Sequence, residues 1–194
     1  MASIDQLKKL RGETGISMIE CKKALEEAGD DIEKAKKILR EKGTEMIKDR
    51  EGRSASQGRV ISYIHHDGKL GVLLELNCET DFVAKSEEFK KLGHEICLQI
   101  AATKPLFVRP DEISEEFLDG EKKIYKKQVA DSGKPQEIVE KIVEGKIKKY
   151  KEEVSLISQP WVKDNSKTIE DLINDYVSKT GEKIKIGNFS RFEI

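Results

Sequence analysis

No sign of charge dominates this sequence, in which 36 basic residues stand against 37 acidic ones for a net charge of −1. Proteins that hold nucleic acid usually carry a basic excess, and those held on anionic membranes carry basic clusters. The balance therefore argues for no nucleic-acid partner and no membrane partner. Cysteine is scarce: Cys21, Cys78 and Cys97 are far apart, odd in number and without a CxxC pair. That leaves no disulfide framework or zinc cage to argue for. Each lies in an apolar pattern and reads as a small buried hydrophobe, which fits a reducing compartment. No apolar run approaches the length of a membrane-crossing helix. The opening Met1-Ala2-Ser3-Ile4-Asp5 lacks the basic and apolar regions of a secretory signal. A soluble, cytoplasmic protein is expected.

Catalytic patterns are also missing. Ser132-Gly133-Lys134-Pro135 has the Gly-Lys of a phosphate loop but lacks the upstream glycine, the following Ser or Thr and the preceding strand. GxGxxG, HExxH and GxSxG do not occur. Of the three histidines, His65 and His66 fall at a turn and His94 stands alone in a helical pattern, so no metal set is expected. Glu75, Glu79 and Asp81 crowd the end of one strand, and paired carboxylates can do acid–base work. No nucleophile or metal cluster accompanies them. The expectation is a binding protein with no active site, cofactor or metal of its own.

What is present is charge on helices. Charged residues make up 38% of the 194 positions, and the hydrophobic fraction is 37%. Lys and Glu on apparent helices can accompany thermophily, and long solvated helices give the same composition. The first fifty residues read as three short helices. Ile4, Leu7 and Leu10 mark the first, which stops near Arg11-Gly12. Ser17-Met18-Ile19-Glu20 is a capping box that opens the second, with Met18, Cys21, Leu25 and Ala28 on one face and Gly29 at its end. Asp30-Asp31-Ile32-Glu33 opens the third, striped by Ile32, Ala35, Ile38 and Leu39 and ended by Gly43. Residues 48–58 carry charge, Gly and Ser without an apolar pattern, the composition of a linker. Two domains follow, residues 1–52 and 53–194.

Beyond the linker, residues 59–65 read as a strand, His66-Asp67-Gly68-Lys69 as a hairpin turn, and Leu70 to Cys78 as the returning strand. Residues 183–194 alternate with period two and form a third strand, interrupted at Gly187-Asn188. Helices are expected from Glu87 to about Thr103, after Pro110, from about Pro135 to Val154, and from Thr168 to Lys179. The fold class is α+β, a small antiparallel sheet with helices on one face.

The most informative stretch is Glu79-Thr80-Asp81-Phe82-Val83-Ala84, a connection between strand and helix. A carboxylate beside a large ring is a poor choice for a plain turn. Two explanations stand side by side. Phe82 and Val83 fold back onto the core while Asp81 caps a helical turn, or the loop pushes an aromatic ring into a partner. Ile19 lies off the buried face of its helix with Lys22 and Lys23, near Gly15-Ile16. It is either a lone exposed apolar residue, which is ordinary, or part of a small docking patch.

These residues resemble the bacterial elongation factor Ts family over essentially the whole chain. Residues 10–25 are similar to its opening signature, and residues 75–84 to its second. Ser132-Gly133-Lys134-Pro135, Glu153-Val154-Ser155-Leu156 and Gln159-Pro160-Trp161-Val162-Lys163-Asp164 are similar to its C-terminal signatures. Trp161 replaces another aromatic, and Gly15-Ile16-Ser17 replaces smaller residues. The resemblance implies a three-helix N-terminal domain like the ubiquitin-associated domain, an α+β dimerisation core, and guanine-nucleotide exchange on elongation factor Tu. It implies that Thr80, Asp81, Phe82 and Val83 approach the partner's Mg²⁺ site, with Phe82 as a wedge. Ile16, Met18, Ile19, Lys22 and Lys23 would grip another side of the same domain, and Phe189, Arg191 and Phe192 a different domain of Tu. The length leaves room for one core subdomain without the family's coiled-coil excursion. Such a short form would dimerise and give a two-to-two complex. The competing classes are a ubiquitin-like-domain adaptor and a structural dimer module, neither with exchange activity.

Overall fold

The computed structural model describes residues 3–50, 52–130 and 135–194. In chain order the elements open with helices α1 (Ile4–Thr14), α2 (Met18–Glu27) and α3 (Ile32–Arg50), then strands β1 (Gln57–Ile64) and β2 (Leu70–Cys78). Helices α4 (Asp81–Lys85), α5 (Glu87–Thr103), α6 (Glu115–Ala130) and α7 (Gln136–Val154) follow. Strands β3 (Pro160–Trp161) and β4 (Asp164–Thr168), helix α8 (Ile169–Thr180) and strand β5 (Ile184–Glu193) complete the described elements.

The first three helices start on side-chain acceptors for their free N–H groups. Ser3 accepts from Gln6 at 3.1 Å and Ser17 from Glu20 at 3.2 Å. Asp31 accepts from Glu33 and Lys34, both at 3.0 Å. Glu20 holds Lys23 at 3.0 Å, and only the Ser17 half of the expected capping box forms. Leu10, Cys21, Ala24, Leu25, Ala28, Ala35 and Leu39 make a small core of their own, as a ubiquitin-associated-like unit does.

Two helix ends differ from expectation. α1 runs past Gly12 to Thr14 and stops at Gly15, which takes the left-handed φ of 71°. α3 continues through Gly43 to Arg50 and absorbs the start of the expected linker. Gly43 is a place of close approach, not a stop. A Cβ there would stand 2.8 Å from Ser178 Oγ on α8. One turn later, Ile47 packs against the main core.

The sheet has the order β1-β2-β5, both pairings antiparallel. The turn is the expected one: Gly68 donates to the His65 carbonyl at 2.9 Å with φ of 70°. The register of β2 with β5 shifts between Leu74 and Leu76, so the interruption at Gly187-Asn188 is a β-bulge. Val72, Leu74, Leu76 and Cys78 face inward with Ile184 and Ile186, and α5 and α8 cover them. Gly93 lets α5 lie against Ile61 of β1, where a Cβ would collide with the isoleucine. The fold is α+β, as the alternation implied. The three cysteines are free and buried.

The β3–β4 hairpin was not expected, and the five-residue α4 was expected only as a helical turn in one of the two explanations of its loop. Against the expectation that a helical excursion is absent, the chain carries one. α6 and α7 pair as a helical hairpin around Ile113, Leu118, Val143 and Ile147, a cluster separate from the main core. Tyr150 meets both Phe117 and Tyr125 across it, with ring centroids 6.3 Å apart in each pair. Of the Ser132-Gly133-Lys134-Pro135 motif, residues 132–134 lie outside the described residues.

Candidate partner-binding site

β2 ends at Cys78, and two residues later Thr80 caps α4, accepting the Val83 N–H at 3.4 Å. Asp81, at the first helical position, is ion-paired with Lys85 at 2.6 Å. The Lys85 ammonium draws the Asp81 carboxyl below its ordinary value. Val83 packs against the core and Ala84 is buried, while Phe82 just before them stays 83% exposed. Of the two explanations for this loop, folding back holds for Val83 and fails for Phe82. The cap is Thr80, not Asp81, because its hydroxyl sits one residue ahead of the first turn.

Two braces tie this loop to the turn between α8 and β5. Glu182 accepts the Thr80 N–H at 3.0 Å and the Thr80 hydroxyl at 2.6 Å. Glu79 accepts the Lys183 N–H at 2.7 Å and Arg53 Nη1 at 3.2 Å. The Lys183 hydrogen bond, and then Arg53, hold the Glu79 carboxyl below its usual range. The carboxylates that crowd the sequence are therefore separately engaged: Glu75 with Asn77 at 2.9 Å, Glu79 with this brace, Asp81 with Lys85. Among the described residues, no group of three or more His, Cys, Asp and Glu side chains could hold a metal ion. Nor is any described helix long and apolar enough to cross a membrane.

The N-terminal candidates lie just before α2 and along its first half. Ile16 packs against the small core, Met18 is half-buried and Ile19 is 67% exposed. Lys22 pairs with Glu26 at 3.8 Å and Lys23 with Glu20 at 3.0 Å, all at the surface.

The C-terminal candidates are split across the sheet by the period of two. Phe189 packs against the main core. The Arg191 guanidinium donates to the Ala101 carbonyl at 3.3 Å and to Glu193 at 2.8 Å. Phe192 points the other way and is 64% exposed. It shares the uncovered sheet face with Val60, Ile64 and Leu73, all exposed. Sequence reasoning missed that patch, although a signal existed. Val60-Ile61-Ser62-Tyr63-Ile64 places apolar residues on both faces of β1. Glu182 was missed because nothing local ties it to Thr80, 102 residues earlier.

The family model described as "Elongation factor TS" matches residues 4–194. Elongation factor Ts of Coprothermobacter proteolyticus is 50% identical over 192 residues, covering 99% of this chain and 98% of that protein. Elongation factor Ts of Thermotoga maritima is 48% identical over 192 residues, covering 99% and 96%. That of Leptospira biflexa is 50% identical over 192 residues, covering 99% and 97%.

Proposed function

The chain belongs to the elongation factor Ts family, and from that premise we propose that it is the guanine-nucleotide exchange factor of elongation factor Tu in translation elongation. It acts in the cytoplasm and has no active site or cofactor of its own. The observation that carries this is Phe82, 83% exposed near the start of a short helix whose next two residues, Val83 and Ala84, pack into the core. A ring held out into water offers no stability to the free protein, since the area it could bury is left unburied. It is suited to a partner's pocket.

An exchange factor must bind nucleotide-free Tu more tightly than Tu·GDP, and by reciprocity it then weakens GDP by the same factor. Phe82 enters between partner side chains near the Mg²⁺ site, with Thr80, Asp81 and Val83 beside it. Asp81 perturbs the network that holds the metal, and loss of Mg²⁺ uncovers the charge of the phosphates. Ile16, Met18, Ile19, Lys22 and Lys23 grip the same Tu domain elsewhere. Phe189, Arg191 and Phe192 reach another Tu domain, with Phe192 as the exposed member of the three.

Two copies assemble through the bare sheet face, where Val60, Ile64, Leu73 and Phe192 stand exposed together. Exposed apolar side chains gathered on one sheet face are suited to an interaction surface, and a two-fold axis would make that face its own complement. Each copy then takes one Tu.

Stopped-flow release of a fluorescent GDP analogue from Tu tests the function. The protein accelerates release, and Phe82→Ala loses most of that acceleration. Equal acceleration by both would move the mechanism away from Phe82. No acceleration of a cognate Tu would leave a dimer module or an adaptor.

A further inference from the structure

Phe82 has no packing of its own to hold it, and α4 is five residues long, far too short to persist as an isolated helix. Something else fixes its direction. The loop before α4 and the turn before β5 each lend the other a carboxylate. Glu79 accepts the Lys183 N–H at 2.7 Å, and Glu182 accepts both donors of Thr80 at 3.0 and 2.6 Å. The Thr80 hydroxyl has one proton, which goes to Glu182. An oxygen lone pair is thereby left facing the Val83 N–H that it caps. Glu182 itself follows Gly181, the left-handed cap of α8, and its own N–H is held by Thr180 Oγ1 at 3.3 Å.

A third segment joins the pair. Arg53, three residues beyond the end of α3, donates to Glu79 at 3.2 Å and accepts the Lys183 ammonium on its carbonyl at 3.1 Å. The exit of the N-terminal helices, the loop that bears Phe82 and the start of β5 thus meet at one node.

We infer that Glu182 and Glu79 are positioning residues that hold Thr80, and through it α4 and Phe82, as a rigid arm linked to the exit of α3. The inference rests on the exchange function proposed above. An arm that carries binding energy into a nucleotide site must not fold back under load, and preorganisation of this kind cuts the cost of ordering at the interface. The node is partly exposed, so its ionic bonds add little to global stability. Their effect is on geometry, where a small misplacement is costly.

The test uses Glu182→Ala, which removes both acceptors, with Glu182→Gln as a milder variant in case the first fails to fold. Amide hydrogen exchange of the free protein is measured first. The amides of Val83 and Ala84, which both bond Thr80, are expected to exchange about tenfold faster in Glu182→Ala, the factor expected of a lost hydrogen bond to a charged group. The core strands are expected to behave as in wild type. GDP release from Tu is then followed against factor concentration. The saturating rate falls about tenfold, while the concentration for half-maximal effect, set by the N-terminal grip, changes little.

Unchanged amide exchange at Val83 and Ala84 overturns the brace. Faster amide exchange with an unchanged saturating rate overturns the positioning role. If wild type itself fails to accelerate release, the exchange function fails and the positioning role with it. The amide data alone then decide whether Glu182 holds the loop.

Discussion

Phe82 and Phe89 lie seven positions apart and do opposite things. Phe89 is fully buried in the main core, and Phe82 is 83% exposed. Truncating a buried phenylalanine loses its transfer energy and opens a cavity, so Phe89→Ala is expected to cost about 3–5 kcal/mol in urea unfolding. Phe82→Ala is expected to stay within about 0.5 kcal/mol of wild type, as surface changes do. In GDP release the order reverses. Loss of one hot-spot ring removes about 2 kcal/mol, roughly a thirtyfold slower exchange. A Phe82→Ala protein that unfolds like the Phe89 variant would place the ring in the core after all. The contrast was half legible in the sequence. Ser86-Glu87-Glu88-Phe89 announces a helix start, whereas nothing local says which of Phe82 and Val83 turns inward.

At the scale of elements, Gly43 shows how a stop signal is overruled. Glycine in a helix interior costs roughly 1 kcal/mol against alanine, and a sequence reader ends the helix there. The cost is tolerated because α3 must approach α8 closely, with Ser178 Oγ 2.8 Å from where a Cβ would sit. Gly43→Ala is therefore expected to recover less than the full ~1 kcal/mol of helix propensity. Combining it with Ser178→Ala, which leaves only the ordinary 3.6 Å contact to Cβ, restores the remainder. A thermal-denaturation double-mutant cycle reads this, and zero coupling energy would mean that α3 and α8 do not press together at Gly43.

The end of β5 offers a pH test at the same scale. Arg191 and Lys104 both bond Glu193 and bring its carboxyl from 4.5 down to about 2. A carboxylate depressed on folding adds stability that is complete above about 4.5 and is lost as the pH falls toward about 2. Glu193→Gln is expected to flatten that part of the acid-unfolding curve. An unchanged slope would mean that the two cations do not hold the carboxylate in solution.

At the scale of the whole molecule, the question is what covers the outer face of the sheet. α5 and α8 cover the inner face, leaving Val60, Ile64, Leu73 and Phe192 in water. A second copy is the occupant proposed, so sedimentation equilibrium is expected to give twice the chain mass. Leu73→Lys, which puts a charge on the central strand of that face, is expected to give the single mass with unchanged circular dichroism. A wild-type protein that stays single at every concentration would sink the dimer. Phe192 lies in the same patch, so its contact with Tu and its place between copies compete for one ring. Exchange by the Leu73→Lys variant separates the two roles.

The sequence by itself determined the balance of helix and sheet, the antiparallel hairpin at Asp67-Gly68, the interruption of the last strand at Gly187-Asn188 and the loop that holds Phe82. Those features rest on periodicity, caps and turn residues, which act between neighbours a few positions apart. It did not determine the length of α3, the pairing of α6 with α7 or the partner of Glu182. Each of these depends on groups far apart in the chain: Ser178 against Gly43, Tyr150 against Phe117, Glu182 against Thr80. The cost of a glycine in a helix, or of a carboxylate near a loop, is fixed locally. Whether something distant offsets it is settled only when the chain closes on itself, and that is why the direction of Phe82 belongs to the tertiary structure.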